Sequence, residues 1–250
     1  MKTITRVLLL ALIVVVLSQC KKDTLPSTLP DKNFLNALIA RGVDKNSDGT
    51  ISAGEAAEVT FLNLNSCSIS DLKGIEAFIN MNTLYCGYNK LTSLDFSNNT
   101  ALTHLDCGAN KLTSLDVSNN TALTDLSCTA NKLTSLDVSN NAALIGLSCT
   151  ANQLTSLDVS NNTALTYLAC GSNKLTSLDV SNNTALTILN CFDNQLTSLN
   201  LTYNTVIHYL GLQDLPSLLK VCVWTMPFPP TGVEVSTIGS PNVNFTMECN

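Results

Sequence analysis

The sequence predicts a repeat solenoid, mostly β, with parallel ladders on two sides and a small α-helical cap at its start. Three observations predict it. From Leu84 to about Leu212 a single phrase recurs, and Cys86, Cys107, Cys128, Cys149, Cys170 and Cys191 are each 21 residues apart. Asn89, Asn110, Asn131, Asn152, Asn173 and Asn194 keep the same step. Within each phrase two short apolar–polar alternations stand where strands would lie, such as Leu102-Thr-His-Leu105-Asp-Cys107 and Leu112-Thr-Ser-Leu115-Asp-Val117. A fixed period of about 20–50 residues marks units that bury their core only by stacking, and period-2 alternation marks half-buried strands.

The chain begins with Lys2 and Arg6 ahead of an apolar run from Val7 to Leu17. That run is shorter than the roughly 20 residues needed to span a bilayer and has the layout of an export leader. It ends in Leu17-Ser18-Gln19-Cys20, which resembles a bacterial lipobox with Cys20 as the lipidated first mature residue. Lys21 to Pro30 is polar, carries two prolines and reads as a tether. The expected organisation is therefore a leader over 1–20, a tether over 21–30, a cap over 31–58, a solenoid over 59–215 and a C-terminal cap over 216–250.

Composition narrows the partner. Loss of Lys2 and Arg6 with the leader leaves 11 of the 13 basic residues against 19 acidic ones. No basic run exists beyond Lys21-Lys22, so a nucleic-acid partner, which needs a positive face, is not expected.

The cap opens with Asn33 to Val43, where Phe34, Leu35, Leu38, Ile39 and Val43 share one side of a helix. Asp44-Lys-Asn46-Ser-Asp48-Gly49-Thr50-Ile-Ser52-Ala-Gly-Glu55 then fits a twelve-residue EF-hand loop. Asp44, Asn46 and Asp48 would offer side-chain oxygens and Thr50 its carbonyl. Ser52 would act at the ninth position and Glu55 with both oxygens, while Gly49 permits the turn. Hard oxygen donors in this order point to Ca²⁺, and a plain turn has no evident use for Glu55. Only one such loop is present and its exit helix, Ala53 to about Glu58, is short, so a structural staple is favoured over a sensor.

The first repeat, from Val59 through Leu62, Leu64 and Ile69 to Leu72, diverges from the rest, with Cys67 in the slot later held by asparagine. In the regular coils Leu102, Leu105, Cys107, Leu112, Leu115, Val117 and their equivalents point inward. The asparagine after each strand suits a sharp turn, its amide bonding backbone groups of its own and the adjacent coil. Stacked rungs near 4.8 Å suit neither the Cβ spacing of a disulfide nor four convergent zinc ligands, so the cysteine column is expected to be buried thiols acting as small apolar groups. Cys222 and Cys249 lie outside the column and are the disulfide candidate for an exported chain. Asp95, Asp116, Asp137, Asp158 and Asp179 form an outward column read as a solvated face.

With these motifs in view, the chain resembles the leucine-rich repeat surface lipoproteins of Bacteroidota-type bacteria, which join an EF-hand-like segment to LTSLDVS-type repeats. It is more distantly similar to internalin-like adhesins. The resemblance implies a cell-surface interaction protein, and with the lipobox the expected place is the outer membrane, by a lipid anchor. His104 stands one rung from Asp125 and beside Asp106, but with no nucleophile in a strained turn, glycine-rich phosphate loop or recessed pocket, enzymatic activity is not expected.

Comparison of the coils with one another locates the information. The phrase NKLTSLDVSNNTAL barely changes, whereas the third strand position reads Phe61, Thr83, His104, Asp125, Gly146, Tyr167, Ile188, Tyr209. The fifth reads Asn63, Tyr85, Asp106, Ser127, Ser148, Ala169, Asn190, Gly211. Both positions face out of the concave sheet. Tyr85, Tyr88, His104, Asp106, Asp125, Tyr167, Phe192 and Tyr209 form the candidate ligand-binding strip, with small residues in its middle. Flat aromatics with polar tips suit a protein loop or a glycan. Drift after duplication, in an envelope spacer without a dedicated ligand, is the alternative.

Overall fold

The computed structural model describes residues 29–249. Helix α1 (Lys32–Ala40) and helix α2 (Ala53–Ala57) flank the predicted loop and close the N-terminal end. The Asp31 carboxylate caps α1, accepting from the N–H groups of Asn33 (2.8 Å) and Phe34 (3.2 Å). Its other oxygen accepts from Ser70 N–H (2.6 Å), Ser70 Oγ (2.7 Å) and Asp71 N–H (3.1 Å), which ties the cap to the first coil. Phe34 and Leu38 are fully buried against the end of the stack. Leu29 leans so close to Gly74 that a Cβ there would sit 2.3 Å from its methyl, and Gly74 has φ +107°. Both facts require glycine.

The concave sheet is parallel and nine-stranded. It contains β1 (Phe61–Asn63), β2 (Thr83–Tyr85), β3 (His104–Asp106), β4 (Asp125–Ser127), β5 (Gly146–Ser148), β6 (Tyr167–Ala169), β7 (Ile188–Asn190), β9 (Tyr209–Gly211) and β11 (Glu234–Ser236). Register is strictly one coil per rung: Thr83 pairs His104, His104 pairs Asp125, Asp125 pairs Gly146 and Gly146 pairs Tyr167. From β1 to β9 the central residue of each concave strand is buried while its neighbours, apart from Ala169 and Gly211, are not, so the period-2 pattern sets which face is core. The six repeat cysteines are free and fully buried. Burial pushes their thiols up, to about 12 for Cys149 and Cys191.

The second ladder is shorter than the sequence suggests. Strands β8 (Ser198–Asn200), β10 (Lys220–Cys222) and β12 (Asn244–Thr246) form a three-stranded parallel sheet at the C-terminal end. In the earlier coils that side is held by single backbone bonds, such as Lys111 N–H to the Leu91 carbonyl (2.8 Å) and Lys132 N–H to Leu112 (2.8 Å). Side chains take over the rest. Asp116 Oδ1 accepts from Ser118 N–H (2.9 Å), as do Asp137, Asp158 and Asp179 from the serine two residues on, and these local turns replace strand pairing.

Two asparagine columns then stitch the coils. In the first, Asn152 Nδ2 donates to the carbonyls of Cys128, Cys149 and Thr150, and its Oδ1 accepts from Leu133 N–H. In the second, Asn99, Asn120, Asn141, Asn162, Asn183 and Asn204 are buried. Asn141 donates to Val117 and Asn120 carbonyls at 3.0 and 2.8 Å, and its Oδ1 accepts no hydrogen bond among the described residues. Beyond the regular coils, residues 216–249 continue both sheets through β10, β11 and β12. Trp224, Phe228 and Phe245 pack edge-on and tilted at the end, with centroids 5.4 and 4.8 Å apart.

Candidate functional site

Midway along the concave strip lies a hollow of about 320 Å³, lined by Tyr85, His104, Asp106, Asp125, Ser127, Gly146, Ser148 and Tyr167 with the backs of Leu105 and Leu126. Parallel register produces it. Tyr85 on β2 stands beside Asp106 on β3, while Asp125 on β4 stands beside Gly146 on β5 and, one rung further, Tyr167 on β6. Gly146 makes the floor: a Cβ there would lie 2.9 Å from Asp125 Oδ1. Phe61 braces the Tyr85 ring edge-to-face, centroids 5.7 Å apart.

His104 Nε2 lies 3.2 Å from Asp125 Oδ2, with both side chains about half exposed (47% and 50%). Such an open pair contributes under about 1 kcal/mol, so it orients side chains more than it holds the fold. Thr103 Oγ1 sits 2.9 Å from His104 Nδ1, and Thr124 Oγ1 donates to Asp125 Oδ2 (2.8 Å). Asp106 Oδ1 accepts from Gly108 N–H (2.9 Å). Among the described residues no donor reaches Asp106 Oδ2 or Asp125 Oδ1, and the hollow's polar edge is therefore acidic.

Of the residues singled out in the sequence, Tyr85, His104, Asp106, Asp125 and Tyr167 meet in this hollow, and Tyr88, Phe192 and Tyr209 do not. Tyr88 stands on the turn after β2 with φ +55° and is 70% exposed. The Phe192 ring lies flat over Gly171, whose missing side chain makes room for it. The Tyr209 hydroxyl accepts from Gln213 Nε2 (3.4 Å) one coil beyond Phe192.

At the cap, Asp44 Oδ2 accepts from Gly49 N–H (2.9 Å) and Asp44 Oδ1 from Asp48 N–H (3.2 Å). Asn46 Oδ1 accepts from Asp48 N–H, and Asp48 Oδ1 from Thr50 N–H and Oγ1. Gly49 has φ +80°, the left-handed turn this loop demands. Glu55 reaches back across the loop: Oε1 accepts from Lys45 N–H (2.8 Å), and Oε2 from Ser52 N–H and Oγ (2.8 Å each). The Ser52 backbone N–H first, then its hydroxyl, hold the Glu55 carboxyl below the usual glutamate range. Glu55 thus completes a capping box on α2. The spacing of Glu55 therefore has a second use beside ion binding, in the α2 cap and on the Lys45 amide. Chemically the donor set, from Asp44, Asn46, Asp48, Thr50, Ser52 and Glu55, is all hard oxygen and fits Ca²⁺. Among the described residues no three His, Cys, Asp or Glu side chains converge on one point. Cys20 lies outside the described residues. Cys222 and Cys249 form a disulfide with Cα atoms 5.7 Å apart, fastening the last strand to β10.

Two sets of residues escape a reading of the sequence. The second asparagine column hides in the Ser-Asn-Asn phrase, where its exact recurrence every 21 residues was the available signal. The turn slot after the concave strands is left-handed at Ser66, Tyr88, Ala109, Ala130, Ala151, Ser172, Asp193 and Asp214 with no glycine to announce it, and only after β11 is it a glycine, Gly239.

The pattern described as a leucine-rich repeat matches residues 108–130 and 192–215, and an LVIVD repeat pattern matches 165–193. Over 87% of its length the chain superposes on an internalin C2 from Listeria monocytogenes, covering 94% of that structure, with a TM-score of 0.67 at 21% identity. The fold is a leucine-rich repeat solenoid. A segment of 71 residues is 45% identical to Internalin J of Listeria monocytogenes, a match covering 28% of this chain and 8% of that protein's length. A solved functional domain of the Listeria protein InlJ, described as including a cysteine ladder, is 28% identical over 88% of this chain and 64% of its own, at a TM-score of 0.47.

Proposed function

We propose that the protein is exported, held at the cell surface and binds a protein partner through the hollow between Tyr85 and Tyr167. One observation carries this reading: the side chains that differ from coil to coil gather two tyrosines, two carboxylates and a glycine floor in one place, while the opposite side of the coil repeats almost unchanged. Rigid aromatics beside small residues suit protein recognition, because they offer contact area at low entropic cost. Removal of either ring, in Tyr85→Ala or Tyr167→Ala, is expected to weaken attachment by about 2 kcal/mol, roughly 30-fold. Thermal unfolding should be nearly unchanged for Tyr167, which rests on the surface. Attachment of whole cells and of purified protein is the measurement, and full attachment without both rings would remove this face from consideration.

The reading extends to Ca²⁺ as a staple of the cap, held by oxygens of Asp44, Asn46, Asp48, Thr50, Ser52 and Glu55. What supports it is the donor chemistry and the left-handed Gly49 at the turn. At about 10 mM calcium over a Kd of about 1 mM, binding stabilises by about 1.4 kcal/mol, or a melting shift of about 3–6 °C. Chelator should abolish that shift, and Asp44→Ala should melt the same with and without it. A wild-type melt indifferent to calcium and chelator would refute the staple.

A further inference from the structure

The chemistry of the hollow is one-sided, and this narrows its partner. No lysine or arginine occupies a third, fifth or seventh strand slot from the coil of Phe61 to that of Tyr209. The lysines of the regular repeats, Lys90, Lys111, Lys132 and Lys174, follow the turn asparagine instead, and Lys73 of the first coil follows Leu72. Asp106 and Asp125 stand on adjacent strands and offset by two residues, since His104 pairs Asp125 and Asp106 pairs Ser127. Each spends one oxygen inside the protein, on Gly108 N–H for Asp106 and on Thr124 Oγ1 and His104 for Asp125. Each leaves the other oxygen open to the hollow. Tyr85 flanks the pair on one side and Tyr167, across Gly146, on the other.

Resting on the reading of this face as a protein-binding surface, we propose that the hollow receives a basic side chain of the partner, an arginine by preference. A guanidinium is flat, stacks on tyrosine and presents a rigid fork of N–H donors that can meet two separated carboxylate oxygens. An ammonium offers a point charge and no face, so lysine should bind more weakly. A neutral sugar could stack on the tyrosines and donate hydroxyls to the open carboxylate oxygens, but it would leave their charge uncompensated. The His104 imidazole engages Asp125 Oδ2, and no lysine or arginine lines the hollow, so Asp106 Oδ2 and Asp125 Oδ1 stay open to a ligand's charge.

The test titrates the intact folded protein with N-acetyl-arginine methylamide, the lysine and citrulline analogues, and a neutral tetrasaccharide, each at millimolar concentration. The reporters are the His104 imidazole and tyrosine ring signals in the NMR spectrum; with only two histidines in the chain the assignment is direct. Expected is saturable binding in the order arginine, lysine, citrulline, weakened roughly fivefold in Asp106→Asn/Asp125→Asn and by salt raised to about 0.5 M. The asparagines keep the acceptors for Gly108 and Thr124, and an unchanged melt confirms the fold. Citrulline binding as well as arginine, arginine binding equally to the double variant, no arginine binding at all, or saccharide binding in its place would each overturn the inference. Cell attachment separates the two levels. If it is lost with the tyrosines but intact in the double asparagine variant, the face still binds protein and only the basic side chain falls.

Discussion

Asn152→Ala is expected to destabilise the solenoid by about 3 kcal/mol, a fall in melting temperature of about 6–12 °C. The side chain is 9% exposed and makes four hydrogen bonds from one position. Nδ2 donates to the carbonyls of Cys128 (3.1 Å), Cys149 (3.0 Å) and Thr150 (3.4 Å), and Oδ1 accepts from Leu133 N–H (3.0 Å). Truncation leaves the Leu133 N–H buried without its acceptor. Each orphaned buried group costs about 1–3 kcal/mol. The total stays below a fourfold sum because the Cys128 carbonyl also accepts from Asn131 and the Cys149 carbonyl from Asn173. Each such carbonyl is shared by two asparagines, so one loss is cushioned by the neighbouring coil. Asn152→Asp should be worse than Ala, since it points a carboxylate at three carbonyl oxygens. Denaturant titration of the three proteins measures the order, and an aspartate variant more stable than the alanine one would contradict this account of the column.

The same column shows what a sequence discloses and what it conceals. Cys86 through Cys191 and Asn89 through Asn194 were legible because packing and a sharp turn tolerate few residue types, so the period prints through. The concave slots were legible for the opposite reason: Phe61, His104 and Tyr167 stand exposed, outside the core that fixes Leu62, Leu105 and Leu168, and they vary. The hollow itself was only half legible. His104 beside Asp125 follows from register, but the exclusion of Phe192 depends on its ring folding onto Gly171, a rotamer choice that spacing does not encode. Elsewhere one side chain serves where the sequence suggested another interaction. Asp116 and its equivalents close local turns with serine, so the predicted second ladder shrinks to β8, β10 and β12. Glu55 has the spacing of a calcium ligand and equally that of a capping box, because both motifs put a carboxylate at the start of a helix opposite free N–H groups.

Asp31→Ala should loosen the cap by about 2–4 kcal/mol. One carboxylate joins two elements: Oδ1 caps α1 through Asn33 and Phe34, and Oδ2 gathers three donors from Ser70 and Asp71 some 40 residues on. The residue is 7% exposed, so water replaces few of these bonds. Burial alone would raise its carboxyl, but the Ser70 N–H and hydroxyl, with Phe34 and Asp71, outweigh it and hold the carboxyl below its usual range. A folded-state value below the unfolded one means that the stabilisation is fully present above the unfolded pKa, near 3.9. It is lost as pH falls through the lower folded value. The stability difference between wild type and Asp31→Asn, which cannot titrate, should therefore be constant from neutral pH to about pH 5 and shrink below pH 4. Hydrogen exchange gives the local reading: amides of α1 should exchange faster in the alanine variant while those of β4 and β5 keep their protection. Equal acceleration throughout would mean that the cap and the coils unfold as one unit, and that Asp31 holds the whole stack closed.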